Sequence, residues 1–150
     1  MQLGNILRTA TDPVVARPIT FRVLGTDSAG KQTSAQAEAV LAFVPESLRE
    51  EHKQRAREYL ENGDYKGKQI PIDVLIEEEY RWFVLAVLRD KDDPSRPFCP
   101  ASEYPTFRSA IIMEQVAWLR EQYRAFVKDE YPELATKEQQ DALVGAAAGE

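Results

Sequence analysis

The chain has 150 residues, 43% apolar and 29% charged, with a net charge of −6. This length and balance suit one domain that buries a core without disulfides or metals, and exclude an intrinsically disordered composition. The acidity, with no basic stripe carrying interleaved aromatics, excludes a dedicated nucleic-acid binder; the lone cysteine, Cys99, excludes an internal disulfide and fits a reducing compartment.

Residues 1–18 read as an irregular arm with at most one helical turn near Leu3–Arg8, because Pro13 and Pro18 interrupt any longer element. Met1–Ala10 has a single basic residue and no proper apolar core, which does not fit a signal peptide. Ile19–Leu24 reads as a short strand, rich in β-branched and aromatic residues. GTDSAGK, residues 25–31, is a turn or loop.

Residues 34–44 carry two periods. Ala37, Val40, Leu41 and Val44 have helical spacing, and Thr33 with Gln36 fits a capping box. Ala35, Ala37, Ala39, Leu41 and Phe43 alternate as in a strand. The alanines favour helix; a β-hairpin with residues 19–24 is the alternative.

Beyond Pro45, Leu48, His52, Ala56, Tyr59 and Leu60 share one face of a helix over 46–61. Asn62-Gly63 would end it in a left-handed cap. A central helix is expected over Ile72–Arg89. Pro71 suits its first turn, and acidic residues load its N-terminal half. Ile76, Tyr80, Phe83, Val84 and Val87 form its apolar stripe, while Trp82 and Leu85 lie away from that stripe. The longest apolar run, Trp82–Leu88, is too short to cross a membrane. A helix apolar nearly all round is either packed on two sides or turned toward a partner, and Trp82 and Leu85 are the candidate contacts.

Asp90–Pro105 is a proline-rich connection, with a short helix expected over Phe107–Ile112. Ile112, Val116, Leu119, Tyr123, Phe126 and Val127 mark a last long helix over Met113–Glu130, ended by Pro132. Trp118 lies off that face, where a tryptophan closes a core or meets a partner. Thr136–Val144 would form a weak helix within a weakly ordered tail, residues 133–150. The expectation is therefore one mainly α domain over 1–150, a small helical bundle with a short N-terminal strand or β-hairpin.

Catalytic and ligand chemistry finds little support. There is no phosphate-binding glycine loop, and His52 has no second histidine. His52 reads as a core-edge residue and Cys99 as a small hydrophobe. Glu77, Glu78 and Glu79 point about 100° apart and do not converge. DKDD at 90–93 lacks the glycine and closing glutamate of a calcium loop. Arg81, Arg89, Arg120 and Arg124 lie among acids and read as ordinary i,i+3 and i,i+4 pairs. No catalytic residue, cofactor site or metal site is assigned.

Three segments carry a family resemblance. EEEYRWFVLAVLRDKDDPSRPF (77–98) is an apolar helix running into an Asp/Pro loop, and MEQVAWLREQYRAFVKDEYPEL (113–134) is a closing helix with a central tyrosine. ARPITFRVL (16–24) is a short N-terminal strand. In this order they resemble the tail assembly chaperones of long-tailed bacteriophages. The resemblance covers about half the chain; residues 25–69 take no part in it. It implies a protein of the host bacterial cytoplasm that binds the tape measure protein, keeps it soluble while the tail assembles, and leaves before the virion matures. Tail tube subunits are further partners in that family, through a frameshift-extended form. The resemblance brings no catalytic residues. A homo-oligomer is left open, and neither nucleic acid nor membrane is an expected partner. The rival readings are a structural virion component, such as a tail or connector subunit, and a small carboxylate-based enzyme, which no convergent cluster of acids favours.

Overall fold

In the computed structural model, residues 15–133 are described. Two long strands open the fold, β1 (Ala16–Thr26) and β2 (Gln32–Ala42), paired antiparallel from Ala16↔Ala42 to Thr26↔Gln32. Helix α1 (Glu46–Glu61) and helix α2 (Ile72–Val87) follow, then a two-residue strand, β3 (Leu88–Arg89). A proline-rich loop and a 3-10 turn (Ala101–Glu103) lead into the short helix α3 (Tyr104–Ala110) and the long helix α4 (Met113–Glu130). The sheet order is β1-β2-β3. Among the described residues no helix is long and apolar enough to cross a membrane.

This corrects the expected mainly α bundle: the chain is an α/β fold of four helices and a three-stranded antiparallel sheet among the described residues. The difference lies in residues 32–42, where the strand alternation wins over the helical spacing. Helix propensity differs by only about 0.5 kcal/mol per residue between alanine and β-branched residues. Against it stand eleven cross-strand pairs and the burial of Ala39, Val40, Leu41 and Ala42. The alanines have a packing role. Ala35, Ala37 and Ala39 stand opposite Val23, Phe21 and Ile19, so small side chains alternate with large ones across the inner face. At the tip, Asp27 Oδ1 accepts the amides of Ala29 and Lys31, each at 2.9 Å. Gly30 turns there with φ +81°, a conformation other residues rarely adopt.

The end of α1 also differs from its sequence reading. Asn62 is right-handed (φ −87°) and Gly63 has no positive φ. Glycine is favoured at 63 by space, since a Cβ there would lie a tight 3.1 Å from the Tyr59 carbonyl oxygen. Helix α2 stops at Val87, two residues short of the expected end, because Leu88 turns extended and pairs with Leu41 of β2. The short helix α3 starts at Tyr104, with Pro105 in its first turn, and ends before Ile111. Helix α4 keeps its expected bounds. The expected segment Thr136–Val144 lies outside the described residues, as does most of the expected arm, whose last residues (16–18) begin β1 instead.

One buried cluster draws on every element: Phe21, Leu41, Ala56, Val84, Leu88, Phe107 and Phe126 all belong to it. Two ring contacts orient α4 on α2. Arg120 lies 3.4 Å over the Tyr80 ring, and Phe83 meets Tyr123 edge-on at 5.1 Å. The two contacts pair successive turns of the two helices. On the other side, the α4 residue Tyr123 accepts the Val44 amide through its hydroxyl oxygen at 3.0 Å, in the buried interior.

The outer edge of β1 is managed. Gln115 Oε1 of α4 accepts the outward amide of Arg22 at 2.9 Å. By strand alternation Pro18 stands on that same edge and offers no donor. Arg17 anchors the far end of the pairing, bonding Asp129 at 2.9 Å and lying over the Phe126 ring.

Candidate interaction surface

The three sequence candidates separate. Trp82 is 6% exposed and Leu85 4% exposed, whereas Trp118 is 41% exposed. Helix α2 is thus packed on two sides: its Tyr80–Phe83 side faces α4, and its Trp82–Leu85 side faces the interior. Trp82 stacks on Tyr104 of α3 at 3.9 Å, and Tyr59 of α1 meets the same Tyr104 ring edge-on at 5.0 Å. Trp82 and Leu85 therefore present no surface to a partner in this fold, and Trp118 does. Trp118 sits one turn beyond Gln115, so it flanks the β1 edge that Gln115 caps.

Beside Trp82 lies a group that sequence reasoning missed. Glu78 is 0% exposed. Its carboxylate accepts the Tyr104 hydroxyl, Arg108 Nε at 2.9 Å and Arg81 at 3.5 Å. Arg108 also lies over the Tyr59 ring, so the cluster ties α1, α2 and α3 together. A buried carboxylate needs such partners, because desolvation of an unpaired charge costs several kcal/mol. The signal was present in the sequence: Glu78 is four residues before Trp82 and shares its helix face. Reading the three consecutive glutamates together, as favourable charge in the N-terminal half of the helix, concealed it. Glu77 is exposed and Glu79 half-buried, so only the central glutamate turns inward.

The expected ion pairs fall out unevenly. Arg81 pairs with Glu78 and Arg124 with Glu121, both at i,i+3 spacing. Arg89 instead donates to the carbonyls of Pro94 and Ser95, at 3.0 and 2.7 Å, and braces the proline loop. Within that loop Asp90 accepts the amides of Asp92 and Asp93, and Asp93 accepts the amide and hydroxyl of Ser95. These bonds hold the Asp93 carboxyl below its ordinary value. The DKDD segment is a self-bonded turn. Among the described residues no three His, Cys, Asp or Glu side chains are grouped to hold a metal ion.

Cys99 is half-buried, with its sulfur 3.6 Å from the Pro100 carbonyl oxygen. Burial, aided by the charge of Glu103, pushes its thiol above the ordinary range, the opposite of what a nucleophile needs. His52 is buried in α1, and desolvation holds it below its ordinary value. Its Nδ1 has no protein partner.

The exposed large apolar side chains sit on α2 and at the start of and within α4. Ile72 is 70% exposed, Ile76 36% and Ile112 42%, beside Trp118 already described. Ile72 and Ile76 continue the stripe that α4 covers at Tyr80 and Phe83. Ile112 lies immediately before α4. The chemistry of this surface is apolar contact rimmed by charge, suited to holding another chain. No family model matches the sequence, no curated protein matches it, and no solved structure matches the fold.

Proposed function

We propose that this protein works by binding another protein, as a tail assembly chaperone for the tape measure protein of a long-tailed phage, in the host cytoplasm and outside the finished particle. The observation that carries the binding reading is the set of exposed large apolar side chains: Ile72 and Ile76 on α2, Ile112 just before α4 and Trp118 on α4. An amphipathic helix of a client buries its own apolar seam on such a face. The client is named by the family resemblance of residues 16–24, 77–98 and 113–134, all of which lie in elements that build or flank this surface: β1, α2 with its loop, and α4.

The test is co-expression with the longest coiled-coil-rich protein encoded just downstream, followed by pull-down and a solubility assay. The chaperone reading expects a co-purifying, soluble client, and less of both with Trp118→Ala, a change at the surface that spares the core. An insoluble client and no complex would refute it. Detection of this chain as a stoichiometric part of purified particles would instead establish the structural-component reading.

A further inference from the structure

The apolar stripe of α2 is longer than the helix that covers it. Ile72, Ile76, Tyr80 and Phe83 fall within about 80° of one another around the axis. Helix α4 meets the second half of the stripe, with Arg120 over Tyr80 and Tyr123 against Phe83. The first half projects past it, which is why Ile72 is 70% exposed and Ile76 36%. Among the described residues Ile72 and Ile76 are the exposed large apolar side chains of α2.

The rim of the overhang carries one sign of charge. Asp73 and Glu77 flank the stripe on one side and Glu79 on the other. None of the three carboxylates forms an ion pair with the described residues. The arginines of the neighbouring elements are engaged elsewhere: Arg81 and Arg108 on Glu78, Arg120 on Tyr80 and Arg124 on Glu121. Lys66 and Lys68 lie on the loop before α2 and, after Arg81, are the nearest cations in sequence. Unpaired acids around apolar side chains repel an acidic occupant and attract a basic one. They also disfavour a second copy of this chain, whose own equivalent face is acidic and whose net charge is −6.

We infer that the overhang formed by Ile72 and Ile76 is a docking site for a basic amphipathic helix, with apolar residues at i, i+3 and i+4 spacing and lysine or arginine along both flanks. The inference rests on the binding reading above and adds which face binds and what charge the bound segment carries.

The probes are two synthetic 18-residue peptides sharing one leucine stripe, one with lysine and one with glutamate at the other positions. Binding to the full chain is followed by fluorescence anisotropy at two salt concentrations. The lysine peptide should bind at least tenfold more tightly than the glutamate peptide, and more weakly at high salt. Ile72→Ser with Ile76→Ser should weaken it at least tenfold while leaving the circular dichroism spectrum unchanged, since both side chains are at the surface. That variant keeps every charge, so general attraction to an acidic protein cannot mimic the result. Equal binding of the two peptides, or undiminished binding to the serine variant, overturns the assignment. So does a dimer in ultracentrifugation that the serine variant dissolves, since a second copy would then be the occupant. These outcomes are independent of the client pull-down: a client held elsewhere would keep the chaperone reading and remove this site.

Discussion

Replacing Glu78 by glutamine removes a buried charge while keeping the volume of the side chain. Glu78 is 0% exposed and binds Tyr104, Arg108 and Arg81. Breaking a fully buried ion pair by removing one partner costs about 3–5 kcal/mol. Two features reduce that figure here. The Arg108 side chain is 34% exposed and that of Arg81 16%, so the freed guanidinium groups regain some water. The glutamine oxygen also still accepts the Tyr104 hydroxyl. A loss of about 2–3 kcal/mol remains, which at a urea slope of about 2 kcal/mol per M shifts the midpoint down by roughly 1–1.5 M. Tyr104→Phe alone should cost about 1 kcal/mol, one hydrogen bond. Because the two residues touch, the double variant should lose less than the sum of the singles. Urea unfolding of the four proteins, with an unchanged slope, measures this. A Glu78→Gln midpoint within about 0.25 M of wild type, equivalent to about 0.5 kcal/mol, would show that the cluster does not hold α1, α2 and α3 together.

Two further outcomes follow from buried polar groups. Tyr123→Phe removes the acceptor of the buried Val44 amide; an unsatisfied buried donor costs about 1–3 kcal/mol, and hydrogen exchange at Val44 should rise with it. His52 is held below its ordinary value by desolvation, with Arg55 adding to the effect and Glu51 opposing it. The unfolded chain therefore binds that proton more readily. The stability His52 gives by staying neutral is fully present above its unfolded pKa, ~6.5, and is lost as pH falls through the lower folded value, at no more than about 1.4 kcal/mol per pH unit. The stability difference between wild type and His52→Gln should accordingly move against wild type between pH 7 and 5; a constant difference would contradict the burial argument.

Much of the fold was legible from local chemistry. Pro45, Pro71 and Pro132 mark helix boundaries. The apolar spacing of α1 and α4 gives their faces correctly, because each has one side in the core and one in water. Helix α2 was legible in part: its all-round apolar character shows that it packs on two sides or meets a partner, but periodicity cannot choose between them. Tyr104 decides it by stacking on Trp82, with Tyr59 set edge-on against the Tyr104 ring. Trp118, off the face of α4, stayed at the surface for want of such a cover. Ile72 was absent from the sequence candidates because the stripe does not reveal where the covering helix stops.

What the sequence by itself determined is the set of local elements whose hydrophobic period, breakers and turn residues agree. What only the tertiary structure decided is wherever two local readings were close in energy or a group needed distant partners. Residues 32–42 could satisfy either period, and the register with β1, together with burial against the helices, selected the strand. Glu78 could be solvated or buried, and it is buried because Tyr104 and Arg108, 26 and 30 residues away, arrive to bond it. Local propensities are worth tenths of a kcal/mol per residue, whereas a buried side chain or a paired buried charge is worth several times that. The larger tertiary terms therefore settle the choices that local chemistry leaves balanced.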